Sequence, residues 1–202
     1  MDGKRAAAVS ARETTFEREQ ELISHYDETL EYYSPVNSKT AQFVLDAMKV
    51  HTYAVRTALD LGCGDGRFSI WLSARNDALV RGVDYSAKRI ELAVSKASVA
   101  GVSCEFVCED LHRYLAADSG QYDLITLFEV LEHLEDPVGV LADARFRLSP
   151  GGCMIGSVPL NDPYHSHLHI FYGVQDVIQR LKPDLVASGR KHVFCRWNAP
   201  VS

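Results

Sequence analysis

The stretch from Ala58 to Phe68, Ala-Leu-Asp-Leu-Gly-Cys-Gly-Asp-Gly-Arg-Phe, constrains the fold more than any other part of the chain. An apolar run leads into glycines at 62, 64 and 66, and an amphipathic segment follows, which reads as strand, tight loop and helix. Glycine adopts positive φ without steric penalty and lets a backbone approach a ligand, while the first turn of the following helix presents N–H groups that lack helical acceptors. Such a loop is suited to holding a bound molecule. Its spacing departs from the G-x-G-x-x-G/A of dinucleotide-binding loops, because the third glycine comes one residue early and Arg67 stands in the usual place. That departure argues against a plain nicotinamide site.

Strands and helices alternate after this point. Strands are expected at Arg56–Leu61, Leu79–Tyr85, Ser103–Cys108, Tyr122–Phe128 and Cys153–Val158. Helices are expected at Arg67–Arg75, from the cap Ser86 to Ala100 with Gly101 as its stop, and around Val138–Leu148. Ser149-Pro150-Gly151-Gly152 reads as the turn before the fifth strand. Val174–Lys182 predicts a further helix stopped by Pro183, and Leu185–Ala187 with His192–Trp197 predicts a closing strand pair. This alternation indicates an α/β domain with a largely parallel sheet and a ligand site along the carboxyl ends of its strands. Upstream, residues 1–14 read as a disordered terminus, Phe16–Tyr33 as an amphipathic helix broken at Ser34-Pro35, and Ser38–Val50 as a second helix. Residues 15–202 thus form one domain, with helices in 15–50 and a ligand-binding core in 51–202. Tyr32 and Tyr33 either pack on that domain or close over a ligand.

Composition narrows the partners. A chain of 202 residues with 47% hydrophobic content buries one sizeable core. A net charge of −6 gives no global basic field to draw it to nucleic acid or an anionic membrane. The N-terminal residues lack the continuous apolar segment of a signal peptide or membrane span, so a cytoplasmic location is expected. Five cysteines, at 63, 104, 108, 153 and 195, form no C-x-x-C pair and read as reduced, mostly buried residues. Cys63 serves as a small residue between two glycines.

Each strand end carries a polar group. Asp84 ends the second strand, where a carboxylate can accept hydrogen bonds from both hydroxyls of a ribose. After the third strand, Asp110 suits the exocyclic amino group of adenine, with Leu111 packing on the base. Phe128-Glu129 follows the fourth strand. Any one of these acids alone reads as a helix cap or turn residue; together they point to one ligand.

On Leu59 to Gly66, Gly82-Val83-Asp84-Tyr85-Ser86, Glu109-Asp110-Leu111, Tyr122 to His133 and Leu148 to Gly152, the chain resembles the class I S-adenosylmethionine-dependent methyltransferases over roughly residues 38 to 197. The resemblance implies a Rossmann-like, doubly wound seven-stranded sheet with one antiparallel strand. It also implies the methionine part of the cofactor over Asp60, Gly62, Cys63, Gly64 and Gly66, ribose on Asp84 beside Tyr85, and adenine near Asp110 and Leu111. Phe128 and Glu129 complete the cofactor side, and S-adenosylhomocysteine is the product.

A sulfonium methyl is already a strong electrophile, so the protein mainly aligns an acceptor and removes its proton. The Asn/Asp-Pro-Pro-Tyr/Phe tetrapeptide of methyltransferases that act on DNA-base amino groups is replaced by Phe128-Glu129-Val130-Leu131, which favours small-molecule O-methylation. Glu129, Glu132 and His133 have i, i+3, i+4 spacing, so a helical turn would gather them on one face. His165, His167 and His169 alternate, and an extended chain would point all three one way. Two carboxylates with imidazoles suit a divalent metal, the candidate ligands being Glu129, Glu132, His133 and His169. Similar Glu-x-x-Glu-His runs occur in ubiquinone-pathway O-methyltransferases and in the metal-dependent methyltransferases of small-RNA 3′ ends. The Thr-Pro-Asn characteristic of the latter is Val158-Pro159-Leu160 here. A plainer reading leaves Glu132 exposed and the histidines lining a polar loop. The working reading is a metal-free general base, His133 or His167, acting on a hydroxyl of a sugar, quinol or natural-product precursor. N-methylation of a small amine, 2′-O-methylation of an RNA end, a non-catalytic S-adenosylmethionine-binding module and a nucleotide-sugar dehydrogenase or epimerase are the alternatives. Oligomeric state stays open.

Overall fold

Seven short apolar runs pair into one sheet, in a computed structural model that describes residues 55–189 and 191–200 together with Asp46 and Val50. The expectations for residues 1–14, for helices at Phe16–Tyr33 and Ser38–Val50, and for Tyr32 and Tyr33 as a cover lie outside the described residues. The strands are β1 (Thr57–Leu61), β2 (Leu79–Asp84), β3 (Cys104–Cys108), β4 (Tyr122–Phe128), β5 (Leu148–Pro159), β6 (Leu185–Ser188) and β7 (His192–Asn198). Their order is β3-β2-β1-β4-β5-β7-β6, and only β7 runs antiparallel to its neighbours. The order reverses between β1 and β4, so a crevice opens at the carboxyl ends of those two strands. The doubly wound, mostly parallel sheet implied by the resemblance is the one observed.

Among the described residues five α-helices flank it: α1 (Arg67–Asn76), α2 (Ala87–Ala100), α3 (Leu111–Ala117), α4 (Pro137–Arg145) and α5 (Val174–Leu181). Ser86 caps α2 by accepting from Arg89 N, and Gly101 ends it at φ 66°. Helix α3 has no counterpart among the expected elements. Two turns are too short to show periodicity, and its only local mark is the cap Asp110, whose side chain accepts from Arg113 N. Strand β5 also starts earlier than Cys153. Leu148 pairs with Tyr122 while Cys153 pairs with Leu124, so Ser149-Pro150-Gly151-Gly152 is an irregularity within the strand. Helix α4 correspondingly stops at Arg145.

Alternation along β1 sorts its side chains between two cores. Leu59 and Leu61 pack with Val83, Ile125, Leu127 and Leu131, whereas Ala58 packs with Phe68, Leu72, Val80 and Leu124. Each such leucine, wholly withdrawn from water, contributes about 2 kcal/mol. Asp60 shares the face of Ala58 and therefore meets α1. Among the described residues no helix is long and apolar enough to cross a membrane.

Candidate active site

The loop after β1 is shaped by its own backbone. Gly62 N and Cys63 N both donate to Val83 O, at 2.8 and 3.0 Å, tying the loop to the end of β2. Gly62 and Gly66 need to be glycine on two counts. Both have positive φ, and a Cβ would lie 2.3 Å from Val130 Cγ2 at Gly62 and 2.8 Å from Ala93 Cβ and Phe106 Cζ at Gly66. Gly64 N donates to Asp84 Oδ2 and Ser86 N to Asp84 Oδ1, at 2.8 and 2.9 Å, so the carboxylate at the end of β2 is anchored beside the loop.

Asp60 lies beneath. It is 4% exposed, and its two oxygens accept from Ser69 Oγ and Thr126 Oγ1, each at 2.6 Å. Burial outweighs those hydrogen bonds and pushes its pKa up to about 6. Cys63 is buried, and its thiol is pushed well above the ordinary range by burial and then by Asp60 and Asp84, so it stays protonated. That is the behaviour of a small packing residue. Tyr85 is exposed, Leu111 is buried in the core with Val83 and Leu115, and Asp110 caps α3 at the edge of the same crevice. Phe128 packs edge-on against Phe68, with ring centres 5.0 Å apart.

The acidic and histidine residues divide into two groups, not the one that their spacing predicts. Glu129 leaves β4 in the left-handed region, φ 56°. Its Oε1 accepts from Ser157 Oγ, and its Oε2 lies 3.3 Å from His192 Nε2. That carboxylate raises the pKa of His192. Leu131–His133 then forms a 3-10 turn, so no α-helical face unites Glu129 with Glu132 and His133.

Glu132 is 1% exposed, not solvent-facing, and neither of its carboxylate oxygens has a hydrogen-bond partner among the described residues. Burial, and then the neighbouring Glu129, push its pKa well up. His133 Nε2 stands 3.8 Å from Glu132 Oε1. The backbone oxygen of Glu132 accepts from Leu168 N and His169 N, at 2.8 and 3.0 Å, which fastens the histidine segment to the turn.

That segment is not extended. His167 N donates to Tyr164 O, and the turn sends the three histidines apart. His167 stacks edge-on against His133 with ring centres 4.8 Å apart. His165 is exposed and leans on Tyr164. His169 donates from Nε2 to Leu134 O and accepts Arg180 Nη2 at Nδ1, each at 2.9 Å, so both of its nitrogens are engaged by protein. His133 Nδ1 and His167 Nδ1 each face a carbonyl at 3.0 Å, of Ser166 and Asp162 respectively. A carbonyl only accepts, so each ring carries its proton on Nδ1 and its lone pair on Nε2. Burial holds the pKa of His133 down to about 4.

Four contributors were not expected from the sequence. Thr126 and Ser69 had a faint signal, as polar residues inside apolar runs. Ser157 and His192 had none, because they reach Glu129 only through the pairing of β5 with β4 and β7.

Residues 58–152 match the family model of a methyltransferase domain. The chain is 27% identical over 168 residues to a ubiquinone biosynthesis O-methyltransferase of Coxiella burnetii, across 80% of this chain and 70% of that one. Its fold is similar to the N-methyltransferase NodS from Bradyrhizobium japonicum WM9 in complex with S-adenosyl-L-homocysteine, with TM-score 0.70 and 19% identity over 89% of this chain and 99% of that one. It is also similar to an RNA methyltransferase from Salinibacter ruber in complex with S-adenosyl-L-homocysteine, with TM-score 0.59 and 21% identity over 84% and 95% of the two chains. In sequence over residues 58–152, and in fold, the chain is thus similar to S-adenosylmethionine-dependent methyltransferases.

Proposed function

We propose that this methyltransferase methylates a hydroxyl of a small metabolite, and that the acceptor loses its proton at the pair His133 and His167. The observation that carries the reading is the geometry of that pair: a backbone carbonyl faces Nδ1 of each ring, which leaves the lone pair on Nε2, and the rings stand edge-on with centres 4.8 Å apart. The likeness to an O-methyltransferase supports it. The net charge of −6 favours a small acceptor over an RNA end. Five free cysteines fit a reducing, cytoplasmic setting.

S-adenosylmethionine supplies an electrophilic methyl, and the residues present fit it. Gly62, Cys63, Gly64 and Gly66 offer backbone to its methionine end. Asp60 supports that loop from below through Ser69 and Thr126. Asp84, already oriented by Gly64 N and Ser86 N, takes the ribose hydroxyls, since each carboxylate oxygen accepts more than one hydrogen bond. Asp110 and Leu111 border the adenine, with Tyr85, Phe128 and Glu129 along the edge. Because His133 is held at a pKa of about 4, it accepts a proton weakly. Proton removal therefore falls to His167, and His133 positions the hydroxyl.

Methyl transfer to phenolic and sugar hydroxyls, read as S-adenosylhomocysteine release, tests this against His133→Ala and His167→Ala. Binding of S-adenosylhomocysteine is measured separately. His167→Ala is expected to lower turnover by about 100-fold or more with binding retained. Full turnover in both variants would overturn the base, and turnover confined to amines or to RNA ends would overturn the acceptor.

A further inference from the structure

Glu129, the first residue after β4, has a left-handed backbone, φ 56°, which costs energy for any residue that carries a Cβ. Two neighbouring strands hold its carboxylate. Ser157 Oγ of β5 donates to Oε1, and His192 of β7 places Nε2 3.3 Å from Oε2. Glu129 N also donates to Ser157 O, at 3.2 Å, so main chain and side chain meet the same residue, itself buried at 2% exposure. His192 reaches this point because it pairs with Pro159 where β7 runs antiparallel to β5. Residues of β5 and β7 thus converge on one carboxylate at the end of β4. Such an arrangement adds little to the stability of the fold. The imidazole keeps 27% of its side-chain surface in water, so the ion pair is screened, and the backbone strain works against it. Strain that the surroundings hold in place is a mark of sites where a side chain has to be aimed.

We propose that His192 is a positioning residue for methyl transfer: together with Ser157 it fixes the aim of the Glu129 carboxylate toward the acceptor, and it acts only through that carboxylate. An ionised carboxylate has about four lone-pair sites, and Ser157 and His192 take one each, so Glu129 keeps capacity for a polar hydrogen of the acceptor. The part His192 plays is that of a hydrogen-bond donor, not of a ring that fills space. This role rests on the proposed place of Glu129 along the cofactor, and not on which acceptor atom receives the methyl group.

Turnover of the full chain is followed as S-adenosylhomocysteine release with phenolic and sugar acceptors, kcat and KM being separated, and binding of S-adenosylhomocysteine is measured by calorimetry. His192→Phe, which keeps a ring and removes the donor, is expected to lower kcat/KM by about 10- to 100-fold while cofactor binding and the urea midpoint stay close to the parent values. His192→Gln, which restores an N–H donor, is expected to recover most of that loss. Glu129→Gln is itself expected to lower turnover, and His192→Phe added to it should cause no further loss, because a residue that acts through another then has nothing left to aim. Should His192→Phe show no cooperative unfolding, His192→Ala carries the same comparison. Full turnover in His192→Phe, equal losses in His192→Phe and His192→Gln, or additive losses in the double variant would overturn the role. Full turnover in Glu129→Gln would instead overturn the place of Glu129 along the cofactor, and with it the role of His192. Methylation confined to amines would overturn the hydroxyl acceptor, and the same variants compared on the amine would still decide what His192 does.

Discussion

Asp60 and Glu132 are two buried acids, at 4% and 1% exposure, with opposite surroundings. Asp60 receives a hydroxyl hydrogen bond on each oxygen, from α1 and from β4. Glu132 receives none among the described residues, and two imidazoles face it instead. The contrast separates an acid bound by the hydroxyls of two elements from one with no hydrogen-bond partner among the described residues. Burial alone would have classed them together; the hydrogen bonds distinguish them.

The sharpest way to break this contrast is Asp60→Ala. It strands two buried hydroxyls, Ser69 and Thr126, and is expected to lower stability by about 4 kcal/mol, read from urea denaturation. An unshifted midpoint would make Asp60 as dispensable to the fold as Glu132.

The pH dependence of stability comes next. The folded pKa of Asp60, about 6, exceeds its ordinary value of 3.8, so the folded state holds the proton more tightly than the unfolded state. Stability therefore falls as pH rises from about 4 to about 6, by on the order of 3 kcal/mol. Asp60→Asn keeps the shape of the side chain and should remove that decline. Denaturation midpoints across the interval in both proteins measure it, and an equal decline in the variant would assign it elsewhere.

Glu132→Gln is expected to change stability by no more than about 1 kcal/mol, because a neutral amide replaces an acid with no hydrogen-bond partner among the described residues. A loss greater than 2 kcal/mol, on the order of a broken buried hydrogen bond, would show that the carboxylate is tied to the chain after all.

The smallest effect belongs to Glu129 and His192. His192 is half-buried and its pKa is raised by Glu129, so the pair stabilises fully below the ordinary histidine value and loses its contribution as pH rises through the raised one. Solvent screening limits it to about 0.5 kcal/mol. A double-mutant cycle of His192→Ala with Glu129→Gln at pH 5 and pH 9 should show coupling only at the lower pH.

The glycine loop and Asp84 were legible because their function is local. Positive φ at Gly62 and Gly66 and a carboxylate two residues before a helix cap are written in neighbouring residues. The second group was legible only as a set of residue types. Spacing placed Glu129, Glu132 and His133 on one helical face, but a left-handed residue at 129 and a 3-10 turn at 131–133 send Glu129 toward Ser157 and His192. Alternation aligned His165, His167 and His169, but the turn from Tyr164 to His167 brings only His167 to His133.

By itself, then, the sequence determined the order of strands and helices and the shape of the glycine loop, since each follows from periodicity and glycine placement within a few residues. Tertiary structure alone decided which acid is satisfied and which histidines meet. Ser166 O fixes His133 across 33 positions, and Thr126 reaches Asp60 across 66. At such separations the direction of a side chain depends on strand pairing and on the path of the intervening loops, which no local pattern encodes.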